Sequence, residues 1–478
     1  MILQNFPLRT ATLSLLLALL IATALTGQER AQDRRKWLSP GQRVSDDPRR
    51  IPLPPEFAHA MSTLVLRGGR VFDSTGKSAR PGTVVISGNQ IQAILPPDST
   101  QWPSDARVLD LAGKTVIPGL IDLHVHLSNA MDIKATPSAP TVSAAIAESD
   151  ADGALRGAEK LRYFIESGIT SVRDTGSRGD VSFRLKDWVR AHRLPGPRVF
   201  PAGQLITATG GHASEVLSND TSREGESVEV SGPDAWREAV RRQFKRGADF
   251  IKITSHFSKE EVAAAIEEAH ALGLKVTCDC EAFYIQWAVE AGIDCIEHPL
   301  PRSDETIRLM AERGVADVPT QVIYQLIFDV QGGYYGSTSR RFGFSKTANM
   351  EMVRRLRRAG IKMGVGTDLV VDWFRYLPKA YIAELKNFVA AGDSIPEALI
   401  RATRTNAEIL DMDDKLGTLE PGKLADVAIV SGKPDENLDD LEHVDTVIRD
   451  GEIVVKDGHS IFPPRISMQM PASRQSNQ

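Results

Sequence analysis

Cysteine is nearly missing from this chain: its 478 residues hold three, Cys278, Cys280 and Cys295. Three cannot build a disulfide framework, and all lie in apolar, strand-like stretches, which reads as buried free thiols. Residues two apart on a strand share a face, so Cys278 and Cys280 point one way and Asp279 the other. A Cys-x-Cys metal site therefore loses Asp279 as a partner. The globular region also lacks any long Lys/Arg block, and the net charge is −5 with a pI near 6.1. That balance excludes an electrostatic case for a nucleic-acid partner. The apolar run Ala11 to Leu25 is shorter than the roughly 20 residues needed to span a bilayer. It follows Arg9 and gives way to Thr26-Gly27-Gln28, the architecture of a signal peptide over residues 1–27. An exported protein, periplasmic or secreted, is expected, with no stable membrane insertion once the signal is removed. No cysteine follows the run to carry a lipid anchor.

What is present is enough for one large body: 42% of residues are apolar and 25% charged. Residues 28–60, rich in Arg and Pro and poor in apolar periodicity, read as a linker. From residue 115 a pattern repeats: a short Val/Ile-rich run, a polar loop, an amphipathic helical stretch. The candidate strands are TVIPGLIDLHVH, ITSVRDTG, PRVFPAG, DFIKIT, LKVTCD, DCIEH, VADVPT and IKMGVGTD. Eight strands alternating with helices predict parallel βα units. No Gly-rich phosphate loop follows the first strand, which favours a barrel over a doubly wound sheet. Both flanks, residues 61–114 and 413–465, show short β-rich runs broken by turn residues. The expected fold is α/β: a (β/α)8 TIM-like barrel over residues 115–412, with a small accessory β-sandwich domain formed by both ends of the chain, and a tail over 466–478.

In such a barrel the active site lies at the C-terminal ends of the strands. His124 and His126 close the first strand and share a face, so they could grip one metal ion together. Lys252 stands in the apolar run Phe250-Ile251-Lys252-Ile253, Asp279 ends the fifth strand, Glu297-His298 the sixth and Gly366-Thr367-Asp368 the eighth. A salt-bridged lysine, a core histidine and a helix-capping aspartate are the plain alternatives for Lys252, His298 and Asp368. Their joint appearance at strand ends argues for a common site. A buried amine is neutral more easily than an exposed one, and a neutral amine can add CO2 to become an anionic carbamate. Tyr284 and Tyr324 follow the fifth and seventh strands, as substrate contacts or as packing aromatics.

The segments IPGLIDLHVH, TSVRDTG, ATGGH, FIKI, IEHP, GVGTD, AEILDMDDKLGTLEPGKLADVAIV and VIRDGEIVV resemble the amidohydrolase superfamily, in its imidazolonepropionase-like branch of dipeptidases and amidases, some of which degrade ochratoxin. The resemblance runs from about residue 62 to 460. It implies a metal-dependent hydrolase of a C–N amide bond, acting on a dipeptide or an N-acyl amino acid through two divalent ions, Zn2+ by expectation. His124, His126 and Asp368 would hold the more buried ion, and a CO2-derived carbamate on Lys252 would bridge to a second ion held by His298. Water or hydroxide between the ions would attack, Asp368 would carry the proton, and His212 would polarise the substrate carbonyl. At the fifth strand related proteins have His as second-metal ligand where this chain has Asp279. A modified two-metal centre, a one-metal enzyme and a chain of impaired activity all remain open. A cyclic-amide hydrolase or deaminase of the same fold is the nearest alternative, and a homo-oligomer is left open.

Overall fold

The computed structural model describes residues 62–76, 78–129, 149–213, 225–333, 343 and 345–463. The signal peptide, the linker and the tail lie outside them. Five strands come first: β1 (Thr63–Val71), β2 (Arg80–Ser87), β3 (Gln90–Leu95), β4 (Arg107–Asp110) and β5 (Lys114–Pro118). Nine more alternate with helices or turns: β6 (Leu120–Val125), β7 (Ile169–Asp174), β8 (Arg198–Pro201), β9 (Leu205–Ala208), β10 (Ser227–Val230), β11 (Phe250–Thr254), β12 (Lys275–Asp279), β13 (Cys295–Glu297) and β14 (Ala316–Val318). The last four are β15 (Val427–Ser431), β16 (Val444–Arg449), β17 (Glu452–Lys456) and β18 (His459–Ser460).

The central strands pair in parallel, β6-β7-β8 in one sheet and β10-β9-β11-β12-β13-β14 in another. Every residue of β6, β7 and β11 is buried, as expected of parallel strands covered on both faces. The covering helices begin where serine caps them: Ser149, Ser258 and Ser303 each accept a backbone N–H of the first turn. Ladder pairing does not run round a complete ring. Isolated bonds bridge the gaps instead: Asp249 N–H donates to Pro201 O at 2.9 Å, linking the start of β11 to β8, and Leu123 N–H to Val365 O at 2.9 Å, linking β6 to the segment 361–368. The expected eighth strand, IKMGVGTD, forms no ladder. It makes one isolated bridge, Asp317 to Met363: Asp317 N–H donates to Lys362 O and Gly364 N–H to Asp317 O, both at 2.9 Å, while Val365 N–H goes to the Asn406 side chain at 2.8 Å instead of a strand. β9 and β10, in contrast, were not expected from the sequence pattern.

The two flanks meet in one nine-stranded sheet, ordered β18-β17-β16-β15-β5-β1-β2-β3 with β4 beside β1, rather than in two facing sheets. A separate apolar cluster, including Leu64, Val84, Ile86, Val116, Val427 and Ile448, lies under it. Gly119 is the hinge between β5 and β6: a Cβ there would meet Thr170 Oγ1 at 2.0 Å, so no side chain fits where the chain passes from one sheet to the other. The cysteine reading is corrected in part. Cys278, on β12, and Cys280, just past its end, have their Cα atoms 5.6 Å apart and are joined as a disulfide; Cys295 is a free buried thiol.

Candidate active site

The period of two along β6 puts Asp122, His124 and His126 on its inward face at the C-terminal end. Each ring is oriented from another part of the fold, His124 from β13 and His126 from the loop after β7. His124 Nδ1 lies 2.7 Å from Glu297 Oε2, which as an acceptor fixes the proton on Nδ1 and bares Nε2. His126 Nδ1 donates to Gly176 O at 3.0 Å, with the same consequence. Both Nε2 atoms face Asp368, whose Oδ1 is 3.6 Å from that of His124 and 3.3 Å from that of His126, the latter also 3.3 Å from the Thr175 hydroxyl. His298, held at Nδ1 by the Thr320 hydroxyl at 2.7 Å, completes a group with His124 and Asp368 whose ligand atoms all lie within 4.8 Å of one another. His298 and Asp368 both have φ in the left-handed region, 69° and 52°. That breaks strand alternation, so adjacent Glu297 and His298 both reach the interior. Non-glycine residues in that region are held there by their surroundings and cluster at functional sites.

A second group lies beside the first. Asp279 Oδ2 is 3.0 Å from His212 Nε2 and 3.3 Å from His298 Nε2. Ser255 ties it together, accepting His212 N–H at 2.7 Å and donating its own N–H to Asp279 O at 3.0 Å. Between the groups, on β11, the Lys252 amine is 1% exposed and has no hydrogen-bond partner. Burial pushes its pKa down, and the carboxylates of Glu297, Asp279 and Asp368 only partly oppose that.

Burial and the nearby Lys252 charge push the His124 pKa down to about 3, so its ring is neutral. Asp368 is ionised: burial works against this, but the surrounding imidazoles, His124 first, pull its pKa down to about 2. Glu297 lies well below its usual range: burial works against this, but the Arg173 guanidinium, with His124 and Lys252 beside it, outweighs the burial. Asp122 goes the other way, raised by burial to about 7, although it accepts Thr367 N–H at 3.0 Å and His124 N–H at 3.1 Å.

The residues present fit a cation. Metal–ligand bonds of about 2.1 Å in tetrahedral array put donor atoms about 3.4 Å apart, and the separations of 3.3 and 3.6 Å around Asp368 match that. The donor set, imidazole and carboxylate, is that of Zn2+ and similar ions.

Two tyrosines were expected near the substrate. Tyr324 is buried with its ring 5.8 Å from that of His298. Tyr284 sits further out, packed edge-on to Phe257 and 5.3 Å from His256. Three residues went unassigned in the sequence: Asp122, Arg173, whose Nη2 donates to Glu297 Oε1 at 2.5 Å, and Glu297 itself. Each is a charged residue inside a run that should be apolar, and that was the available signal.

The Amidohydrolase family model matches residues 115–454. The chain belongs to the amidohydrolase family. Among relatives, Aspergillus niger ochratoxinase is 25% identical over 437 residues, covering 83% of this chain and 86% of that enzyme. Imidazolonepropionase from Geobacillus kaustophilus is 27% identical, covering 79% and 91%. In three dimensions the chain is similar to a prolidase solved with N-methylphosphonate-L-proline, with a TM-score of 0.74 and 27% identity over 83% of this chain and all of that one. A Xaa-Pro dipeptidase with bound methionine in its active site gives 0.72 and 29%, over 82% of this chain and 99% of that one. This amidohydrolase thus has a TIM-barrel-like α/β fold, and its relatives are hydrolases of C–N bonds.

Proposed function

We propose that this amidohydrolase is a metal-dependent hydrolase that cleaves the amide bond of a dipeptide or N-acyl amino acid. The observation that carries this is the convergence of two imidazole Nε2 atoms, of His124 and His126, on the ionised Asp368, beside an unpartnered buried amine. His124, His126 and Asp368 hold one divalent cation. Lys252, as a carbamate, and His298 hold a second, with Asp279 in the place of a histidine. The buried amine suits that role: burial lowers its pKa and so favours the neutral form, which bonds to CO2 and loses a proton to become an anionic ligand. Zn2+ supplies Lewis acidity, which acidifies water and polarises the scissile carbonyl. Asp368 accepts the proton of the attacking water, a C–O bond forms as the C–N bond breaks, and Asp368 passes that proton to the departing nitrogen. His212, on its loop, donates toward the carbonyl oxygen as negative charge builds there.

Export rests on the apolar run Ala11 to Leu25, and the accessory-domain reading on the joint sheet of the two flanks. A cyclic-amide substrate is the second reading, favoured by the similarity to imidazolonepropionase. The deciding experiment is metal analysis coupled to a screen of dipeptides, N-acyl amino acids and cyclic amides after supply of Zn2+, Mn2+ or Co2+. Linear substrates turned over with at least one tightly held ion per chain are expected. Less than one ion and no hydrolysis would sink the enzyme reading, and cyclic amides alone would select the second.

A further inference from the structure

We infer that Lys160 is a positioning residue for His126, and hence for the cation that His126 holds under the reading just proposed. The ladder between β6 and β7 ends with Thr175 N–H on Val125 O at 2.9 Å. The next carbonyl, that of His126, receives the Lys160 ammonium instead, at 2.7 Å. The same Nζ reaches Asn129 O at 3.3 Å and lies 5.6 Å from the centre of the Phe374 ring. Lys160 is 1% exposed, and no carboxylate oxygen of the described residues lies within ion-pair distance of it. A buried ammonium is costly unless its donors are used, and here they are used on the backbone that follows the metal-ligand strand.

The helix Asp150–Glu166 that carries Lys160 is shaped for this contact. Gly153, Gly157 and Lys160 recur at helical spacing on one face. A Cβ at Gly153 would lie 3.4 Å from Ser128 Cβ, and one at Gly157 3.4 Å from Leu127 O and 2.4 Å from Leu185 Cδ1. Both glycines let the helix press directly on residues 127–128. That segment is fastened from its other side as well, by Leu127 N–H to Asp174 Oδ1 at 3.2 Å and Arg178 N–H to the Ser128 hydroxyl at 2.8 Å. With its carbonyl clamped by Lys160 and its Nδ1 clamped by Gly176 O, His126 has no freedom to turn Nε2 away from Asp368.

The test titrates metal-stripped, full-length protein with Zn2+ alone, against a competing chelator, and records the melting point of the metal-free protein in parallel. Lys160→Met should weaken Zn2+ binding at least tenfold while the metal-free melting point moves by a few degrees at most. Lost melting stability with unchanged Zn2+ affinity would mean ordinary packing and overturn the inference. Where Lys160→Met does not fold, Gly157→Ala, which pushes the helix outward, is read in the same way: weakened affinity supports the role and unchanged affinity overturns it. Wild-type protein that binds no Zn2+ overturns the reading of the site itself, and this inference with it; wild-type binding with unaltered variants overturns this inference alone.

Discussion

The two halves of the site are built differently. Around Asp368, both imidazoles stand at the end of β6, and each is oriented through Nδ1 by an acceptor, the Glu297 carboxylate at the end of β13 or the Gly176 carbonyl just past β7. Around Asp279, one imidazole, His212, comes from a loop, and the other, His298, is oriented by a hydroxyl, that of Thr320, which can either donate or accept. The first half has its tautomers and directions set before any ion arrives. The second depends on a shared carboxylate and a loop. Preorganisation of that kind separates a tight site from a weak one even when the ligand atoms are equally close.

The comparison can be broken most decisively at its stronger half. His124→Ala or Asp368→Asn should lower turnover by about four orders of magnitude or more, since Asp368 both binds and carries the proton. Retained activity at saturating metal would remove that half from the chemistry. Next in size is Glu297→Gln, which leaves the shape but weakens the orienting acceptor. Loss of such a partner typically costs about 10–100-fold in metal affinity, and an unchanged chelator competition would show that Glu297 only pairs with Arg173. Asp279→His sharpens the contrast from the weaker side. It should raise the second ion's occupancy and alter the rate several-fold; if metal content and rate both stay put, Asp279 holds no ion.

The smallest effect concerns pH. Thr320, which holds His298, precedes the helix Gln321–Gln331, whose first N–H groups donate to buried Glu384, Gln321 N at 3.0 Å and Val322 N at 2.7 Å. Burial raises the Glu384 pKa from 4.5 to about 7. The folded state therefore holds this proton more tightly than the unfolded chain. Its contribution to stability is fully present below about pH 4.5 and is lost as pH rises through about 7. Glu384→Gln should remove that part of the slope, a change of no more than a few degrees in melting point between pH 5 and 8. An identical slope in both proteins would show that Glu384 does not titrate in this range.

Much of the site was legible because strand ends carry charge where apolar residues are expected. His124, His126, Lys252, Asp279, His298 and Asp368 all interrupt or terminate Val/Ile-rich runs, and the structure brings them to one end of the parallel strands. The supporting residues were not legible, for a physical reason. Glu297 adjoins His298, and strand alternation would send the two side chains to opposite faces; only the left-handed backbone at His298 admits both. Likewise, the segment 361–368 reads as a strand by composition, but its Val365 N–H is taken by the Asn406 side chain, a partner distant in the chain, and only one bridge to β14 forms. The union of Cys278 with Cys280 follows from side-chain approach across the end of β12, which the spacing of two makes available without requiring it.

The junction of the two flanks bears on how the protein is made. β5 lies between β1 and β15, and its register with β15 runs from Lys114 with Ser431 to Pro118 with Val427. On the ribosome, β1 to β5 emerge several hundred residues before β15 exists. Throughout that interval β5 is an open edge offering unpaired backbone groups and the apolar side chains of Val116 and Ile117, a template for joining the wrong chain. Synthesis of the last strands thus closes a vulnerability opened at the start, and a chain interrupted before residue 427 is released with that edge uncovered.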